Sequence, residues 1–155
     1  MKIRKTSSPF TEAVAAPGPP LIGALLRMPW EAVRQRMLDR LHERGFDDLD
    51  APHLTVFQYP GPQGARPSEL AVRLRVSKQA LNYLLRELER LGYLKRSADP
   101  HDRRSRRVTL TRRGESVVQT MREAVGEIER EWEERLGPRR FAELRSLLSK
   151  LGVSG

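Results

Sequence analysis

Between Asp99 and Gly114 the chain reads DPHDRRSRRVTLTRRG, six arginines in sixteen residues. The chemistry open to such a cluster is recognition of anions, and the plainer alternative is a solvated basic surface or a disordered arm. The distribution of charge favours recognition. From Arg66 to Arg113 there are 14 lysines and arginines against 5 acidic residues, an excess equal to the formal net charge of +9 of the whole 155-residue chain. The remaining 15 basic and 15 acidic residues cancel. Solubility does not need this segregation, whereas a polyanionic partner does, and nucleic acid is the first such partner to consider.

Other chemistries find little support. The chain has no glycine-rich phosphate loop, no HExxH and no cysteine, so neither an enzyme nor a cofactor is expected. His42, His53 and His101 stand singly in unrelated segments, and no metal site is expected from them. Absence of cysteine fits a reducing compartment, and a cytoplasmic location is the expectation. There is no apolar run of about eighteen residues to span a membrane. Residues 1–20, MKIRKTSSPFTEAVAAPGPP, contain no continuous apolar stretch ahead of their prolines and read as a disordered tail rather than a secretory signal.

The elements that must position the arginines follow from periodicity. LIGALLRMPWEAVRQRMLDRLHERGF reads as helix, with Trp30, Val33, Met37 and Leu41 on one face, Gly45 as its stop, and a kink or a fresh start where Pro29 interrupts it. A short second helix begins at Asp50 or Ala51 and ends at Pro60 and Gly61. PSELAVRLRVSKQALNYLLRELERLGY then divides into two helices at RLRVS. Ser77 is the N-cap of the later one, Leu81, Leu84, Leu88 and Leu91 form its apolar stripe, and Gly92 ends it.

Two helices joined by a tight turn form a helix-turn-helix pattern. On the second helix, Ser77, Lys78, Gln79, Asn82, Tyr83 and Arg86 offer donors and acceptors where a helix in the major groove presents side chains to base edges. An ordinary solvated face is the alternative. Residues around Leu94 to Arg96 and Arg106 to Thr111 can pair as a hairpin with Val108 and Leu110 inward, Arg107 and Thr109 outward, and DPHDRRS in the loop. A hairpin directly after a recognition helix is a wing, whose arginines would lie beside a groove.

The C-terminal part is helical again. Val117, Met121, Val125, Ile128, Trp132 and Leu136 recur at three and four residues until Gly137-Pro138, after which Phe141, Leu144, Leu148 and Leu151 resume the pattern. Long terminal helices flanking a DNA-binding core commonly supply a symmetric dimer contact, and Trp132, Phe141, Leu144, Leu148 and Leu151 are the expected dimerisation residues. The expected organisation is a tail over 1–20, an N-terminal dimerisation helix over 21–50, a winged helix-turn-helix over 51–113 and dimerisation helices over 114–155. The fold class is mainly α with a small β-hairpin wing. The expected function is sequence-specific binding of double-stranded DNA by a homodimeric transcriptional regulator. A non-specific architectural nucleic-acid binder is the alternative. An RNA module fits less well, since Tyr83 and Tyr93 are the segment's only aromatics.

LERLGYLKRSADPHDRRSRRVTLTRRG, together with SELA and VSKQALNYLLRELE, resembles the MarR family of bacterial winged-helix regulators over roughly Leu21 to Leu151. The resemblance implies a homodimer, in most cases a repressor, on a pseudo-palindromic site. It also implies that Asp102 orients Arg104 for a minor-groove contact, while Arg103, Arg106 and Arg107 attend phosphates or pack the wing. A small aromatic or phenolic effector is a further implication, and Leu26, Trp30, His53 and Phe57 would lie in its region, either as contacts or as core. The chain departs from the family at Arg75, where the turn usually carries glycine; this implies a strained arginine or a slightly different turn. A second departure is the Pro/Gly-rich QYPGPQGARP, which leaves the length of the second helix open.

Overall fold

The computed structural model describes residues 18–57, 64–99 and 102–152; for 102–105 it describes the backbone alone. Helix α1 (Ile22–Glu43) contains Pro29 and runs through it as one helix, so of the kink or fresh start expected from the sequence the fresh start does not occur. The hydrogen bond forfeited at Pro29 lies in the exposed half of the helix, where water can satisfy the freed carbonyl. Met37 and Leu41 are buried, whereas Leu21, Ile22, Leu25, Leu26, Met28 and Trp30 are exposed. Gly45, at φ 81°, stops the helix, with Gly45 N–H on the His42 carbonyl at 2.9 Å and Phe46 N–H on that of Leu41 at 3.0 Å.

Helix α2 (Ala51–Phe57) buries His53, Leu54, Val56 and Phe57; the expected stop at Pro60 and Gly61 lies outside the described residues. Helices α3 (Pro67–Leu74) and α4 (Lys78–Arg90) form the helix-turn-helix, and the Ser77 hydroxyl oxygen caps α4 by accepting from the Ala80 N–H at 3.1 Å. Between them Arg75 adopts the left-handed conformation, φ 53° and ψ 39°. The α4 stripe is centred on buried Leu81, Leu85 and Leu88, with Leu84 and Leu91 only partly buried. Spacings of four and three keep the first set within a narrow arc, and the expected Leu84 and Leu91 fall at its margin.

The wing is longer than the sequence predicted. Strand β1 (Leu94–Asp99) pairs antiparallel with β2 (Asp102–Leu110), from Leu94 opposite Leu110 to Ala98 opposite Arg106, with an irregularity before Asp99 meets Asp102. The residues DRRS, expected in the loop, therefore belong to a strand. Ala65 adds a bridge to Val108, exchanging N–H and C=O bonds at 3.0 and 2.9 Å.

Helix α5 (Arg112–Leu136) is capped by the Thr111 hydroxyl, which accepts from the Gly114 N–H at 3.2 Å and donates to the Gly92 carbonyl at 2.6 Å. A Cβ at Gly114 would run into the Tyr93 carbonyl, so the chain needs glycine there for close approach. Val117, Thr120, Met121, Ala124 and Ile128 are buried on α5. Gly137 and Pro138 end it, as expected, and α6 (Pro138–Gly152) buries Phe141. Along the α1–α5 contact, Arg36, Arg40 and Arg44 meet Glu131, Glu127 and Glu123. Steps of four residues on antiparallel helices make this a ladder. The hydrogen bond from Arg36 holds the Glu131 carboxyl below its usual range. These partly exposed pairs set register more than they stabilise.

Tyr93 is fully buried between Phe46 and Phe57, at ring-centroid distances of 6.2 and 5.8 Å. Its hydroxyl donates to Asp48 and accepts from Arg113 Nη2 at 2.9 Å. Burial, then the bond to Asp48, push that hydroxyl from 10.0 up to about 12. Because the folded state favours the protonated phenol, its contribution is complete below pH 10 and is lost as pH rises from 10 towards 12. The loss is on the order of 2 to 3 kcal/mol. Melting temperatures across that window, compared with Tyr93→Phe, check this: the parent should lose stability more steeply than the variant.

Candidate nucleic-acid interface

The site is built on the face of α4 that the core leaves free. Ser77, Lys78, Gln79, Tyr83 and Arg86 are exposed and Asn82 is half-buried, since the Leu81, Leu85 and Leu88 stripe fixes the helix's rotation. The three acids of the helix-turn-helix are already engaged. Glu69 accepts from the Arg66 N–H, Glu87 from the His53 ring and Glu89 pairs with Arg96. Arg73, Arg75, Lys78, Arg86 and Arg90 have no side-chain partner among the described residues. The result is a protein surface with cations facing outward and, among the described residues, no carboxylate to satisfy them.

The wing adds a second set. Arg106 is exposed, whereas Arg107 is half-buried, expected outward but turned to its own chain. Its Nη2 donates to the Gly64 carbonyl at 3.0 Å and its Nη1 lies 3.6 Å from Asp99 Oδ2. Asp99 is only 1% exposed, and Arg66 Nε donates to the same Oδ2 at 2.9 Å. Of the two roles expected for the wing arginines, Arg107 therefore packs the hairpin. Thr109, also expected outward, is half-buried. The backbone places Asp102, Arg103 and Arg104 at the start of β2; their side chains, and the orienting contact expected between Asp102 and Arg104, lie outside the described residues. Sequence reasoning passed over Asp99 and Arg66. The signal was present, since Asp99 is an acid inside the same arginine-rich run as Asp102.

The remaining site residues separate into two groups. Phe141 is buried within its own chain, Trp132 and Leu144 are half-buried, and Leu148 and Leu151 are exposed, together with Leu136 and Leu147. Leu26 and Trp30 stand on the exposed half of α1. His53 and Phe57 belong to the core: the Asp50 N–H donates to His53 Nδ1 at 2.9 Å, which leaves Nε2 to carry the proton towards Glu87 Oε2 at 3.1 Å. The described residues contain no group of three or more potential ligands able to hold a metal and no helix long and apolar enough to cross a membrane.

Residues 48–105 match the model of the MarR family. The whole fold is similar to apo MarR from E. coli, at 25% identity and a TM-score of 0.68 over 86% of this chain and 98% of that one. It is also similar to the transcriptional regulator Tm0710 from Thermotoga maritima, at 28% identity and a TM-score of 0.59 over 84% and 90%. The transcriptional repressor CouR, bound to a 23-mer DNA duplex, shares the fold at 24% identity and a TM-score of 0.67 over 85% and 92%. No curated protein matches the chain.

Proposed function

We propose that this chain, whose residues 48–105 match the MarR family and whose whole fold is similar to that of MarR and a further transcriptional regulator, is a winged helix-turn-helix transcriptional regulator of that family and reads a specific double-stranded site as a homodimeric repressor. The observation carrying this reading is the outward face of α4, where Lys78, Gln79, Asn82, Tyr83 and Arg86 stand beside cations that no acid among the described residues neutralises. In this arrangement Gln79 and Asn82 hydrogen-bond base edges, Lys78 and Arg86 hold phosphates, and Arg103, Arg104 and Arg106 follow the adjacent groove, with Asp102 orienting Arg104. The DNA-bound relative supports the choice of duplex. The exposed leucines of α6 and the exposed half of α1 support a symmetric dimer.

Release by a small aromatic or phenolic effector belongs to the same proposal. Leu26 and Trp30 are the side chains open to such a ligand, whereas His53 and Phe57 already have their contacts filled.

The test begins with fragments selected from genomic DNA by the purified protein. Gln79→Ala or Asn82→Ala should weaken binding to a selected fragment by about 1 to 3 kcal/mol and leave random-sequence duplex nearly unaffected. Equal losses on both duplexes would assign these residues to the backbone. A parent protein that selects no sequence at all would support the architectural alternative and end the proposal.

A further inference from the structure

Arg75 is the only residue other than glycine with positive φ among the described residues. An L-residue in the left-handed region is strained by its Cβ, and such positions favour glycine or asparagine. No side-chain contact among the described residues repays that strain. The Arg75 side chain is exposed and has no hydrogen-bond or ion-pair partner among the described residues; only its backbone N–H is used, on the carbonyls of Ala71 and Val72. It stands two residues before Ser77, the N-cap of α4, and so at the end of that helix nearest Lys78 and Gln79. Glycine would close the same turn without strain but would bring no charge.

We propose that Arg75 is an additional phosphate-binding residue of the turn, its left-handed backbone retained because it carries a guanidinium to the duplex at the entrance of α4. This rests on the reading of α4 as the DNA-facing helix. It adds a contact that the turn could not make with glycine.

The distinguishing property is that folding and binding should respond in opposite directions. Arg75→Gly should melt roughly 2 to 4 °C higher than the parent, by relief of strain. The same substitution, and Arg75→Asn, which tolerates the left-handed backbone, should flatten the salt dependence of binding to a random-sequence 30-base-pair duplex by about 0.9 in logarithmic slope for each Arg75 bound. At 0.1 M salt that slope corresponds to roughly an eightfold loss in affinity. Arg75→Lys should keep the slope, and Arg122→Asn, which removes an exposed charge from α5, should leave it unchanged. Parental slope and affinity in both Arg75→Gly and Arg75→Asn overturn the inference while leaving the α4 reading intact. A parent that fails to bind duplex in a salt-dependent way overturns both.

Discussion

A chain carrying Leu148→Glu together with Leu151→Glu is expected to sediment as a monomer at concentrations where the parent sediments as a dimer. Both leucines are exposed in the single chain, Leu151 by 70%, so charging them removes nothing from the protomer's own core and the melting temperature at low protein concentration should change little. Phe141, buried on the same helix, is left in place to keep α6 docked. Loss of the dimer converts a two-site engagement of DNA into two independent ones. Affinity for a duplex with both half-sites should therefore fall by about 10²- to 10⁴-fold, while affinity for an isolated half-site is retained. Sedimentation of the double variant as a dimer would place the interface elsewhere.

Asp99→Ala is expected to lower stability by about 2 to 3 kcal/mol. Removing one member of a buried ion pair ordinarily costs about 3 to 5 kcal/mol, because the partner's charge is left uncompensated. Here the side chains of Arg66 and Arg107 keep 37% and 22% of their exposure, and water takes up part of the loss, which brings the figure down. In thermal melts the change corresponds to roughly 5 to 10 °C for a chain of this size. Arg107→Ala in the Asp99→Ala background should cost less than it does alone, because the contact the two share is already lost there. Independent, additive effects would show that Asp99 and Arg107 merely lie side by side.

The elements were legible where local chemistry repeated at a fixed period. The α5 and α6 stripes, the Ser77 cap and the Gly137-Pro138 break follow from side-chain types within one or two helical turns, whereas the left-handed Arg75 was legible only through the resemblance, which puts glycine at that turn. What was not legible depended on partners distant in sequence. Asp99 reads as a turn residue beside Pro100, and its burial follows from Arg66, 33 residues earlier. Arg107 alternates outward by strand period, yet the Gly64 carbonyl draws it in from the other side of the hairpin. Leu85 displaced Leu84 at the centre of the α4 stripe because periods of three and four differ by one residue, and only the packed core chooses between them. The outward residues Ser77, Lys78, Gln79, Tyr83 and Arg86 were legible together because helical rotation leaves one polar face.

The contact between Gly114 and the Tyr93 carbonyl bears on how the wing can move. No slack exists at that joint, since even a methyl group would not fit, and Arg113, stacked 4.4 Å above the Tyr93 ring and bonded to Asp48, clamps it from the other side. The base of the hairpin and the first turn of α5 thus form one stiff body, and compliance must lie elsewhere in the chain. A tilt of α5 at this joint would carry the base of the hairpin with it. The six residues of β1 make a lever arm of roughly 20 Å, so a rotation of about 5° at the helix displaces the wing tip by roughly 1.7 Å along this arm. That displacement is a large part of the tolerance of a hydrogen bond, and small movements in the helical half of the molecule are therefore felt as misalignment at the far end of the hairpin.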